Sequence, residues 1–168
     1  MKYRNSIFVS GSAGFGKGKT LVMNDPSHIP DILKARLDGY MAQDKLFLIG
    51  DCIGVDSAIQ AYLAQKGYKY VCVYHTGPKI RHKAIDAWPH QEIAAPPGVY
   101  GRAFYELKDV AMREDCESAL AIWDGASTGT KRNIAALSAM GKRIEIYRLD
   151  LKRFKPDISQ NDKEDGNG

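Results

Sequence analysis

Two short stretches of this chain combine glycines, hydroxyls and carboxylates in a way that suits a phosphorylated ligand. Residues 124–130 read Asp124-Gly125-Ala126-Ser127-Thr128-Gly129-Thr130. Small residues there let backbone N–H groups approach a ligand, and a helix start behind them favours an anion. Ser127 and Thr130 add hydroxyl donors, and Asp124 can accept from ribose hydroxyls. Residues 50–56, Gly50-Asp51-Cys52-Ile53-Gly54-Val55-Asp56, repeat the arrangement with two glycines and two carboxylates. Gly11-Ser12 forms a third, shorter instance. A catalytic carboxylate, if there is one, is sought among Asp51, Asp56, Asp109 and Asp124. Asp56 also has a plain reading as an N-terminal helix charge that complements the dipole. Arg81, in a basic loop, is expected either to meet a phosphate or carboxylate or to serve as a structural surface arginine.

Other chemistry-bearing residues lead elsewhere. Residues 13–20, AGFGKGKT, satisfy a loose Walker A pattern. A P-loop must open a helix at its Lys-Thr, yet Asn24, Asp25 and Pro26 follow within six residues of Thr20 and break one. His75, His82 and His90 are spaced by 7 and 8 residues, which matches no common metal-ligand pair. Cys52, Cys72 and Cys116 are isolated and odd in number, a pattern of reduced thiols, with Cys72 expected in the core. The sequence thus calls for no metal and no resident cofactor.

The elements that must position these residues follow from periodicity. Apolar runs at residues 6–10, 45–49, 69–74 and 119–123 read as strands, and so does 143–147, with Ile144 and Ile146 on one face. Helices are expected over residues 29–41, 57–66 and 101–116, the last with a stripe of Phe104, Leu107, Val110 and Ala111. A further helix carries Ile134, Leu137 and Met140 and stops at Gly141. Residues 75–98, with Pro78, Pro89, Pro96 and Pro97, read as irregular. Strand–helix alternation implies an α/β doubly wound parallel sheet of about five strands with helices on both faces. One domain over residues 1–150 and a polar, disordered tail over 151–168 are expected. A net charge of +4, from 24 basic and 20 acidic residues, permits anionic ligands without marking a nucleic-acid surface. No apolar run is long enough for a membrane span, and none at the N-terminus is long enough for a signal peptide, so a cytoplasmic location is expected.

Three segments together carry a family likeness: VSGSAG after the first strand, IGDCIGVDSAIQAYL after the second, and YELKDVAMREDCESALAIWDGASTGTKRNI near the end. They resemble the SLOG superfamily, which gathers Rossmann-like domains related to DNA-processing protein A and to the Lonely Guy phosphoribohydrolases. The resemblance covers roughly residues 6 to 147. It implies strand order 3-2-1-4-5 and a nucleotide-type ligand beyond the strands' C-terminal ends. The ligand-binding set is then Gly11, Ser12, Gly50, Asp51, Gly54, Asp56, Arg81, Asp124, Gly125, Ser127, Gly129 and Thr130. The hydrolases' PGG is absent, and Asn133 stands where their catalytic glutamate is expected. Asparagine cannot act as a general base. The expected function is therefore binding of a nucleotide or nucleotide-derived small molecule, as a sensor or sequestering module. An N-glycosidase or deoxyribosyltransferase-like enzyme is the alternative. Single-stranded DNA binding ranks last, because Lys17, Lys19, Lys131 and Arg132 lack interleaved aromatics. Relatives of this architecture imply a homo-oligomer.

Overall fold

The computed structural model describes residues 1–12 and 23–156. The loose Walker A stretch and the end of the tail lie outside the described residues. Among the described residues the chain forms one mostly parallel, seven-stranded sheet and four α-helices. Their order is β1 (Ser6–Gly11), α1 (Asp31–Ala42), β2 (Leu46–Gly50), α2 (Val55–Gln65), β3 (Val71–Thr76), β4 (His90–Ile93), α3 (Gly101–Asp115), β5 (Ser118–Trp123), α4 (Thr128–Ala139), β6 (Arg143–Arg148) and β7 (Arg153–Phe154). No helix among the described residues is long and apolar enough to cross a membrane.

The sheet runs β4-β3-β2-β1-β5-β6-β7, with only β7 antiparallel. This is consistent with a Rossmann-like arrangement, but the strand count and order differ from the five strands expected. Both additions lie at the edges. β4 falls within residues 75–98, which carry no apolar run and were expected to be irregular. It is half-exposed and pairs with β3 through Val73↔His90 and Tyr74↔Gln91. β7 lies past residue 150, where the domain was expected to end, and its Phe154 packs against the core.

Strand periodicity of two sorts side chains between the faces. Ile7, Val9, Phe47, Ile49, Val71 and Val73 face α1 and α2, meeting Leu33, Leu37, Ile59 and Leu63. Phe8, Leu48, Cys72 and Tyr74 face α3 and α4, meeting Met112 and Leu137. Each buried Leu or Ile contributes about 1.5–3 kcal/mol over an exposed one. α2 begins two residues earlier than expected, which places Asp56 in its first turn. α4 begins at Thr128, so Gly129 and Thr130 are helical rather than part of the loop. In α3 the expected stripe is corrected: Val110 is exposed, and Lys108 and Met112 are the fully buried residues. The end of β1 is where neighbouring strands leave in opposite directions, β2 to one side and β5 to the other. Such a point leaves a crevice beyond the strand ends.

Candidate functional site

That crevice is a cleft of about 350 Å³, lined from β1, β2, α2, α3, the loop after β3 and the start of α4. Of the expected ligand residues it brings together Gly11, Ser12, Gly50, Asp56, Arg81, Ser127, Gly129 and Thr130. Asp109 and Asn133 join them. Asp51, Gly54, Asp124 and Gly125 are not among its lining residues.

The four outside the lining hold the loops in shape. Asp51 is 2% exposed. Its Oδ2 accepts the Arg81 backbone N–H at 2.8 Å and its Oδ1 the Arg81 guanidinium at 2.9 Å. Both oxygens are thereby engaged, and Asp51 fixes the loop that brings Arg81 to the cleft. The Arg81 guanidinium then lies over the Tyr105 ring, 4.0 Å from its centroid, a favourable cation–π geometry. Asp124 closes its own loop: Oδ1 accepts from the N–H groups of Ala126 and Ser127 at 2.9 and 2.7 Å, and Oδ2 from the Ser127 hydroxyl at 2.6 Å. This is an Asx-type turn leading into α4. Gly54 sits at φ 130°, ψ −127° immediately before α2, a conformation that only glycine adopts freely. A β-carbon on Gly125 would meet the Arg148 guanidinium at 2.5 Å.

Within the cleft a buried polar chain runs from β1 into α3. Asn133, 4% exposed, donates to Ser10 Oγ at 2.9 Å and to Asp109 Oδ2 at 3.2 Å. A glutamate there would set a second carboxylate against Asp109, so the asparagine suits its surroundings. Asp109 Oδ1 lies 3.5 Å from Lys108 Nζ, and Lys108 also donates to the Tyr105 carbonyl at 2.7 Å. Ser12 Oγ accepts the Asp124 backbone N–H at 3.2 Å and lies 3.5 Å from Thr130 Oγ1. Near the mouth, Arg102 donates to Thr128 Oγ1 at 3.2 Å, and Arg132 pairs with Glu106 at 2.5 Å.

Sequence reasoning missed Lys108, Tyr105, Glu106 and Arg102. Their signal was the spacing of Tyr105, Lys108, Asp109 and Met112, which places them on one side of a helix. The apolar residues of the same helix masked it. Lys108 and Asp56 both press on Gly50: a β-carbon there would lie 2.6 Å from Asp56 Oδ2 and 2.8 Å from Lys108 Cε. Gly50 therefore leaves the space that the Asp56 carboxyl and the Lys108 stem share.

Burial pushes the Asp56 carboxyl up to about 7, with Asp109 adding to the rise and Lys108 opposing it. The folded chain thus keeps a proton that the unfolded chain releases near pH 4. Stability attributable to this group is present at low pH and falls as pH rises between about 4 and about 7, by up to roughly 1.4 kcal/mol per unit. Asp56→Asn removes that slope. Its melting temperature relative to the wild type is expected to climb by roughly 10 °C between pH 4 and pH 8. Calorimetry across that range checks this, and a constant difference would refute it.

The histidines take a different role. His75 Nδ1–H donates to the Gly77 carbonyl at 2.8 Å, which in the neutral ring leaves Nε2 to accept from His90 Nδ1–H at 2.9 Å. This pair ties β4 to β3. Among the described residues no three His, Cys, Asp or Glu side chains converge to hold a metal.

Compared with protein-family models, with curated proteins and with solved structures, the chain matches none.

Proposed function

We propose that this cleft binds a nucleotide or nucleotide-derived small molecule, as the SLOG resemblance implies. The observation that carries the reading is the cleft's mixture of groups at the sheet's switch point. Lys108, Arg81 and Arg102 are cationic, the first turn of α4 supplies N–H groups at Gly129 and Thr130, and Asp56 and Asp109 stand among them. Cations with a helix N-terminus favour phosphate. A carboxylate such as Asp109 suits sugar hydroxyls. Tyr105 and the Arg81 guanidinium over it offer flat surfaces for a base.

One observation favours an enzyme as the second reading. Asp109 is a carboxylate inside the cleft whose orientation Asn133 and Lys108 both set. A carboxylate held beside a glycosidic bond could stabilise the cationic transition state of its cleavage.

A single experiment addresses both readings. The protein is titrated calorimetrically with nucleoside monophosphates and ADP-ribose, and the mixtures are chromatographed for free base. Micromolar binding is expected, with affinity falling more than about tenfold in Gly129→Leu, whose side chain fills the α4 end of the cleft. Unchanged affinity in Gly129→Leu would remove the cleft assignment. Released base that disappears in Asp109→Asn would assign the enzyme.

A further inference from the structure

Of Asp51, Asp56, Glu106 and Asp109, Asp56 is the one that forms no ion pair among the described residues. Asp51 holds Arg81 with both oxygens. Asp109 lies beside Lys108, and Glu106 pairs with Arg132. Among the described residues Asp56 accepts one hydrogen bond, from the Cys52 backbone N–H to Oδ2 at 3.2 Å, and Lys108 lies beside it across Gly50. The second Asp56 oxygen has no hydrogen bond among the described residues, and the side chain lines the cleft at 9% exposure. The charged and titratable groups around it are Lys108 and Asp109 on α3, and Asp51 and Cys52 in the loop between β2 and α2. Arg81, from the loop after β3, lines the same cleft.

An ionised carboxylate at that place would repel an incoming phosphate. A neutral carboxyl is instead a donor, and burial with one oxygen left unbonded favours the neutral form, which Lys108 beside it opposes only in part. We propose that Asp56 binds the ligand as a protonated acid, donating its hydrogen bond to an anionic phosphate oxygen, so that binding takes up one proton wherever the empty site is ionised. This rests on the nucleotide reading above. The balance is simple: the proton comes from solution, stays on the carboxyl oxygen and is shared with the phosphate, and no covalent bond changes. Asp56 is therefore a binding residue with a pH signature, which a merely structural carboxyl would not give. Burial keeps the proton on Asp56 up to about pH 7, so the coupling becomes visible above that point.

The test is isothermal titration with ADP-ribose, whose diphosphate does not titrate between pH 6 and 8, in two buffers of different ionisation heat. The expected result for the wild type is uptake close to one proton at pH 8 and little at pH 6. Affinity falls about tenfold per pH unit above 7. Asp56→Asn keeps an acceptor for Cys52 and a donor for the ligand, so it binds with no proton uptake and a flat pH profile. Asp56→Ala binds weakly at both pH values. Binding of ADP-ribose by the wild type without proton uptake at pH 8, with a profile matching Asp56→Asn, overturns this inference and leaves the nucleotide reading standing. If neither ADP-ribose nor AMP binds the wild type at pH 6, the nucleotide reading falls and this inference falls with it.

Discussion

Lys108→Met is expected to weaken nucleotide binding by about a hundredfold or more and to destabilise the fold by about 1–3 kcal/mol. The binding loss is that of one charge-assisted hydrogen bond, about 3 kcal/mol. The stability loss comes from what remains behind. Lys108 is 6% exposed, beside Asp109 and against Asp56. Methionine keeps most of the stem that packs on Gly50 but leaves Asp109, 22% exposed, without its cation. Removing one partner of a partly buried pair leaves the other's lost hydration uncompensated, which costs more than the pair itself contributed. The double variant Lys108→Met/Asp109→Asn separates the two effects: its melting temperature should recover most of the loss while binding stays lost. A single variant as stable as the wild type would mean that the ammonium is dispensable to the fold. A double variant no more stable than the single one would show that the loss came from packing, not charge.

Gly11→Ala should cost about 3 kcal/mol, a fall in melting temperature of roughly 6–12 °C. A β-carbon at Gly11 would lie 2.2 Å from Val55 Cγ1 and 2.4 Å from Val55 Cβ. Rotating the valine cannot relieve this, because its Cβ is fixed by the helix backbone. Either β1 or the start of α2 must move. Asp56 sits one residue along the same turn, so the displacement also reaches the cleft. Val55→Gly removes the conflicting atoms, and the double variant Gly11→Ala/Val55→Gly should lose less stability than the two single losses added together. Simple additivity in thermal melts would show that the contact does not govern the effect. This glycine was expected to serve a phosphate. It lines the cleft, but its lack of a side chain is also demanded by helix packing.

The strands β1, β2, β3 and β5, which carry short apolar runs, β6, which carries Ile144 and Ile146 on one face, and all four helices were legible along the chain. Short apolar runs bounded by turn residues suit strands buried on both faces, and α/β order follows from their alternation with helical stripes. The glycine–hydroxyl loops at residues 50–56 and 124–130 were legible for the same reason: each follows such a run directly, so each must stand at a strand's C-terminal end. β4 and β7 were not legible, because edge strands are half in water and need no apolar run. β4 is held partly by a histidine pair, His75 and His90, that has no local signature.

Which loops gather beyond the strand ends follows from the order of elements along the chain, since chain direction and crossover handedness leave little choice. How each polar residue within those loops is used follows from packing. Asp51, Asp56, Asp109 and Asp124 are alike on paper. In the fold Asp51 is engaged by Arg81, Asp124 by its own turn and Asp109 by Lys108 and Asn133. Asp56 keeps one oxygen without a hydrogen bond among the described residues and lines the cleft. The reason is that the deciding partners can be far along the chain: Arg81 is 30 residues from Asp51 and Asn133 is 24 from Asp109, each brought within about 3 Å by packing. Spacing along the chain carries no record of those distances. Lys108 shows the same limit. Within its helix it looks like one more solvated charge, and only the closure of α3 over Gly50 makes it a buried cation at the head of the cleft.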